Sequence, residues 1–213
     1  MEYNTKNTVL RQPAMWKNLY FYRKTDALYR MTVIFCERFL PKYGDRTVDQ
    51  MIQAARSGKQ NIIEGSEDGK TSTEMELKLL NVARASIHEL KEDYIDYIKA
   101  HNLVLWDKQH PRFNKMLDYC KEHNDFEQYK DIAGKSSEEE FCNTAITLCM
   151  LTDKMMNTYI ENLEKQFVTE GGIKERMHAA RTGYRQAEME RLQFLEKEVV
   201  RLQEILKKNN IPF

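Results

Sequence analysis

Apolar residues recur every three or four positions over most of the chain, the spacing that places them on one face of an α-helix. The pattern predicts four long helices, at 14–40, 47–64, 71–100 and 137–169, and a fifth at 173–209. The longest apolar face belongs to the third helix and comprises Leu77, Leu80, Ala83, Ile87, Leu90, Tyr94 and Tyr97. Four long amphipathic helices can bury such faces together by packing as a bundle.

Polar residues with the capping-box spacing precede three of these helices, at Thr47–Gln50, Thr71–Glu74 and Ser136–Glu139. The run 65–69, which contains two glycines, is expected to end the second helix. Residues 101–135 are less regular, and we expect a short helix after Pro111 with loop on either side.

These elements predict an all-α fold, an antiparallel up-down-up-down four-helix bundle with an additional C-terminal helix. The bundle is expected to occupy residues 1–170, with an irregular insertion at about 101–135, and a helical suffix to occupy 171–213. The predicted core contains Leu28, Phe35, Ile52, Ala55, Leu80, Ile87, Leu90, Tyr94, Leu148 and Met155.

The end of the suffix carries a short heptad pattern, with alternating steps of three and four between Leu192, Leu195, Val199, Leu202 and Leu206. About two heptads are fewer than the three or four that indicate an independent coiled coil. The suffix is therefore expected to pack on the bundle or on a neighbouring subunit.

Composition supports a helical protein, because 8 Gly and 4 Pro in 213 residues are too few for the frequent turns of a β-sandwich. Residues 1–11 are polar, so we expect no secretory leader, and no apolar stretch is long enough for a membrane span. The 4 Cys form no C-x-x-C pair and no disulfide framework. We expect a cytoplasmic protein with reduced thiols and no contact with a membrane.

Charge is balanced overall, with 33 basic and 33 acidic residues, but it is distributed unevenly. Residues 1–70 carry 12 basic and 8 acidic side chains, and residues 171–213 carry 9 and 6. Residues 136–170 carry 2 basic and 7 acidic side chains. A bundle with this pattern would have walls of opposite sign, which could meet between neighbours in a ring.

Two segments superficially resemble functional motifs. The run Gly65–Thr71 has only three residues between its glycines and follows a helix, whereas a phosphate-binding loop needs four and follows a strand. The pair Glu175 and His178 has di-iron spacing, but such a site needs a second pair and two further carboxylates. The sequence therefore predicts no catalytic residue, no metal site and no cofactor, and we expect the protein not to be an enzyme.

Small residues cluster in the middle of the second helix, at Ala54, Ala55, Ser57 and Gly58. A glycine in a helix interior costs about 1 kcal/mol relative to alanine, so it needs a reason. One interpretation is close packing against another helix. The other is a basic contact surface, because Arg56 and Lys59 lie in the same segment.

The pattern Ser57-x-x-x-Asn61-Ile62-x-Glu64-Gly65, followed by Ala83-x-x-Ser86-x-x-Glu89-Leu90, resembles the four-helix-bundle family of the 23S ribosomal RNA intervening-sequence protein. The resemblance covers about 14–100 and 136–168, and the longer chain is similar to a subgroup with a C-terminal suffix. The superfamily includes the accessory variability determinant of diversity-generating retroelements. The resemblance implies an antiparallel bundle, frequently in a pentameric ring, and no enzymatic activity.

Two functions remain open from the sequence. The first is a non-catalytic oligomeric adaptor that binds RNA or DNA, or a ribonucleoprotein such as a reverse transcriptase. The second is a structural homo-oligomer that docks a protein partner and has no nucleic-acid role. The candidate phosphate contacts of the adaptor are Arg23, Lys24, Arg30, Arg38, Arg56, Lys59, Arg176, Arg181 and Arg185.

Overall fold

A computed structural model describes residues 10, 11, 15–41, 44 and 46–208 of the chain. Regular structure in these residues is entirely helical, which confirms the predicted all-α class. A short 3₁₀ turn at Trp16–Asn18 precedes seven α-helices: α1 Tyr20–Phe39, α2 Arg46–Asp68, α3 Thr73–Ala100, α4 Phe113–Glu122, α5 Phe126–Lys135, α6 Glu138–Glu170 and α7 Ile173–Lys208.

Contacts divide the chain into two units. The first, Arg11–Thr169, contains α1 to α5 and nearly all of α6, and is called here the helical body. Among the described residues, the second consists of Leu10 and residues 170–208, and is essentially α7. The predicted start of the first helix is wrong, because Trp16–Asn18 is a 3₁₀ turn, Leu19 is extended and α1 begins only at Tyr20. Residues 14 and 209, the predicted limits of the first and last helices, lie outside the described residues.

The core of the helical body forms where the apolar faces of its helices meet, as the periodicity predicts. Eight of the ten predicted core residues are buried. The other two are half-buried, Ile52 against the larger apolar cluster and Met155 against a second, smaller cluster. Phe35 is central to the largest cluster, with its ring centroid 4.9 Å from those of Tyr94 and Tyr97. Burial of such side chains is the main stabilising contribution to the fold.

The small residues of α2 allow α3 to approach closely. A Cβ atom added at Gly58 would lie 2.8 Å from Cδ1 of Ile87, and one added at Gly65 would lie 3.3 Å from Cβ of Leu79. The hydroxyl oxygens of Ser57 and Ser86 are 2.9 Å apart across this contact. Of the two interpretations of this segment, close helix packing accounts for its glycine and serine.

The predicted end of the second helix is wrong, because α2 continues through Gly65 to Asp68. The predicted caps also shift. Thr47 lies inside α2, and the N-cap of α3 is Ser72, whose hydroxyl accepts a hydrogen bond from the Met75 backbone N–H at 3.1 Å.

The insertion predicted as mostly loop at 101–135 contains two helices, α4 and α5. The short helix after Pro111 is present as α4, but α5 was not predicted. Its signal is a capping box, because Asp125 is the N-cap and the Gln128 side chain accepts from the Asp125 backbone N–H at 3.0 Å. The buried side chains of Tyr129 and Ala133 pack α5 against the core.

The second unit is described by α7, a continuous helix of 36 residues with no buried residue. Gly183 does not interrupt it. Across the described part of the chain, no helix combines the length and apolar character needed to cross a membrane.

Candidate nucleic-acid interface

Basic residues of α1 contact the ends of α4 and α5, so their positions follow from the fold of the insertion. The Arg23 guanidinium forms two hydrogen bonds with the Asp125 carboxylate, one of them 2.6 Å from Nε to Oδ1. This bidentate pair joins α1 to the N-cap of α5 and holds the pKa of Asp125 below its ordinary value.

Lys24 is completely buried, which the sequence-based prediction of a phosphate contact did not anticipate. Its ammonium donates to the carbonyl oxygens of Cys120 and of His123, the latter at 2.6 Å. These carbonyls lie in the last turn and C-cap of α4, where no intrahelical donor is available and a cation is favoured by the helix dipole. In this structure the Lys24 ammonium is not accessible to a phosphate.

Arg38 makes the equivalent contact at the end of α5. Its guanidinium donates to the carbonyl oxygens of Ala133 and Ser136, the latter at 2.8 Å. Arg38 keeps part of its surface exposed, but its donors are used to terminate α5. Three of the basic residues predicted to bind nucleic acid therefore hold the insertion on α1.

A cleft of about 510 Å³ lies where the 3₁₀ turn, α1, α2 and the start of α5 meet, and is called here the basic–aromatic cleft. One of its lining residues is Asp26, whose carboxylate pairs with Lys59 at 2.6 Å and with Arg30 at 3.0 Å. Lys59 contacts Asp26 from α2, and Arg30 contacts it from one turn further along α1. The cleft thus brings Arg23, Arg30 and Lys59 of the predicted set together.

Aromatic side chains alternate with these cations, an arrangement that the sequence did not reveal. The rings of Trp16 and Tyr22 pack edge to face with centroids 4.6 Å apart. The Arg30 guanidinium lies 5.4 Å from the centroid of the Phe126 ring. All three rings are half-buried and keep an accessible part, as the stacking platforms of single-strand binding proteins do.

The charges of the basic–aromatic cleft are partly compensated. Four cations and three carboxylates line it, which leaves a small positive excess: Lys17, Arg23, Arg30 and Lys59 against Asp26, Asp125 and Glu127. Sequence analysis missed Lys17, Trp16, Tyr22 and Phe126, because they come from segments that only the fold brings together. The cleft therefore suits a contact with modest affinity from each chain.

The remaining predicted residues do not line this cleft. Arg56 is exposed on α2, one turn before Lys59, and has no ion pair or hydrogen bond among the described residues. On α7, Arg181 and Arg185 are exposed and Arg176 is half-buried.

A larger cleft of about 640 Å³ lies between α4, α5 and α6, beside a strap at 103–112. Asn143 fixes the strap, since its side chain accepts from the Trp106 backbone N–H at 2.7 Å and donates to the Val104 carbonyl at 2.9 Å. Three carboxylates and two cations line this cleft, Asp118, Glu122 and Glu140 against Arg112 and Lys115. That excess of negative charge disfavours phosphate.

Among the described residues, no group of three or more His, Cys, Asp or Glu side chains is arranged to hold a metal ion. Comparison of the chain with protein-family models, curated proteins and solved structures gave no match.

Proposed function

We propose that the protein is a non-catalytic, oligomeric adaptor that binds single-stranded nucleic acid in the basic–aromatic cleft. The observation that carries the proposal is the convergence of Lys17, Arg30 and Lys59 with partly exposed aromatic rings from separate segments. Cations would neutralise phosphates and the rings would stack on bases, a combination that tolerates any sequence.

The resemblance to the intervening-sequence protein family supports the same proposal and extends it. On that basis α1, α2, α3 and α6 form an antiparallel up-down-up-down bundle, and copies of the chain assemble as a ring, with five as the number the resemblance suggests. A ring would repeat the cleft, so that modest contacts add through multivalency. A ribonucleoprotein such as a reverse transcriptase in the cytoplasm is the proposed partner.

Replacement of Asp26 tests the proposal by a gain of binding, because the variant should have a higher affinity for nucleic acid than the wild type. Asp26→Asn removes the carboxylate that pairs with Arg30 and Lys59, and frees both cations for phosphate. Counterion release then predicts a roughly tenfold or smaller gain in affinity at about 50 mM salt, and a steeper dependence on salt. Fluorescence anisotropy with a labelled single-stranded RNA measures both quantities.

Asp96→Asn is the matched control, since Asp96 forms an exposed pair with Lys99 on α3, away from the cleft. It changes the net charge by the same amount and should leave binding almost unchanged. Equal gains from the two variants would show a nonspecific charge effect. No binding by the wild type or by Asp26→Asn at low salt would reject the nucleic-acid proposal.

The alternative function is a structural homo-oligomer that docks a protein partner and does not bind nucleic acid. The observation that favours it is the apolar side chains that α7 leaves exposed, among them Met189, Leu192 and Phe194. Exposed apolar side chains in such number mark a contact with another chain.

A further inference from the structure

We infer that the C-terminal half of α7 pairs with α7 of a second copy of this chain as a parallel, in-register coiled coil. The inference rests on α7 alone and does not depend on the proposed nucleic-acid function. It names the partner, the relative orientation of the two helices and the residues in contact. The pairing of α7 is a contact separate from the interfaces of the proposed ring, because five helices cannot all pair two by two within one ring.

The seam consists of five apolar residues in a heptad register. Leu192, Val199 and Leu206 take the a positions, and Leu195 and Leu202 take the d positions. The first four of these in chain order, Leu192, Leu195, Val199 and Leu202, are 55%, 48%, 52% and 50% exposed. A valine at a with leucine at d is compatible with two strands.

Charged residues beside the seam select the second copy as its occupant. In the same register Arg191 is a g position and Glu196 is the following e position. In a parallel pair each g residue faces the next e residue of the other strand, so Arg191 of one copy meets Glu196 of the other. The two-fold axis makes this contact twice.

Both residues are available for this contact. Arg191 and Glu196 are exposed, and the described part of the chain gives neither an ion pair. Glu198 at the next g position would face Gln203 of the second copy, which adds no like-charge contact. The sequence thus pairs with itself without repulsion along the apolar seam.

An antiparallel pair is disfavoured by the same residues. Two antiparallel registers retain four apolar layers each, one with Leu195 opposite Val199 and the other with Val199 opposite Leu202. In the first register Glu196 faces Glu196 of the second copy and Glu198 faces Glu198, whereas in the second register Glu196 faces Gln203. Both registers lose the two contacts between Arg191 and Glu196, and the first also adds like-charge contacts, which are unfavourable across a close interface.

The seam ends at Leu192 for a clear reason. The preceding a and d positions are Arg185, Glu188 and Arg181, which cannot form an apolar layer. The coil therefore contains about two heptads and is expected to be a weak, concentration-dependent contact, because short coiled coils are marginal alone. A covalent trap is the suitable readout for such a contact.

Oxidation of Val199→Cys in the full-length protein is the first test. In the parallel coil the two a-position cysteines face each other within disulfide range, so a disulfide-linked dimer should form on a nonreducing gel. Val200→Cys is the matched control, because Val200 is 55% exposed but one residue off the seam. We expect about tenfold more cross-linked product from Val199→Cys, since the bond tolerates little deviation in geometry.

Native thiols should not obscure this result. Cys36, Cys120, Cys142 and Cys149 are all buried, and burial raises the pKa of Cys120 to about 12. Thiolate is the reactive form, so these four should react slowly. Equal yields from Val199→Cys and Val200→Cys, or no dimer from either, would overturn the inference and leave α7 to a different protein partner.

Glu196→Gln, introduced together with Val199→Cys, tests the orientation. The parallel coil loses both contacts with Arg191, and cross-linking at a subsaturating concentration should fall by roughly threefold. An antiparallel pair has no contact between Arg191 and Glu196 to lose, so an unchanged or increased yield would contradict the parallel register. Glu204→Gln is the control, because Glu204 is at the outward f position of the same helix.

Discussion

Ile87→Ala is expected to lower the free energy of unfolding by about 2–5 kcal/mol, the range for removal of a fully buried aliphatic side chain. Ile87 is 1% exposed and its Cδ1 atom fills the space above Gly58. Urea denaturation with a common m-value measures the loss. Val82→Ala is the control on the same helix, where the side chain is 44% exposed and a change within about 0.5 kcal/mol is expected.

A second substitution separates packing from a general effect on the helix. In the wild type, Gly58→Ala places a Cβ atom 2.8 Å from Cδ1 of Ile87, so the side chain must move. In the Ile87→Ala background that space is free, and the gain in helix propensity of about 1 kcal/mol should be realised. Gly58→Ala should therefore be more favourable in that background. Strict additivity would contradict the close approach of α2 and α3.

Lys24→Met is the second substitution with a large expected effect, about 2–4 kcal/mol of lost stability. Methionine fills the space of the alkyl chain but cannot donate to the Cys120 and His123 carbonyls, and each buried unpaired acceptor costs about 1–3 kcal/mol. Hydrogen exchange should show the greatest loss of protection at the end of α4. An unchanged unfolding midpoint would mean that the ammonium is not required there.

The pH dependence of stability provides an independent check on Lys24. Burial lowers the pKa of Lys24 below its ordinary value of 10.5. Between the folded-state pKa and 10.5 the unfolded chain binds more protons, so this residue makes the free energy of unfolding rise with pH. The rise should be absent in Lys24→Met. The same dependence of the free energy of unfolding on pH in the wild type and in Lys24→Met would contradict the burial of the Lys24 ammonium.

Hydrophobic periodicity was sufficient to predict the long helices, because their apolar faces are continuous over many turns. Periodicity did not predict the end of α2, because the glycines of 65–69 are residues that commonly end a helix. Cβ of Leu79 in α3 lies 3.3 Å from where a Gly65 Cβ would be, so the glycine serves the contact between two helices. Tertiary packing overrides local propensity at such a position, and a single sequence does not show which helix will approach.

The basic residues of α1 illustrate a different limit. The sequence shows how many basic residues α1 carries, but it does not show which group each side chain contacts. Lys24 and Arg38 meet carbonyl groups at the ends of α4 and α5, and α5 itself was missed. Had the capping box of Asp125 and Gln128 been recognised, α5 and an acidic partner for α1 could have been expected.

Photo-crosslinking most directly tests whether nucleic acid is bound in the basic–aromatic cleft. A single-stranded RNA with a photoreactive uridine is irradiated with the full-length protein at low salt, and the linked peptides are identified by mass spectrometry. The account predicts cross-links at Trp16, Tyr22 or Phe126, and their loss at high salt, where phosphate contacts weaken. Cross-links confined to the acidic surface of α6, or none at any salt concentration, would contradict it.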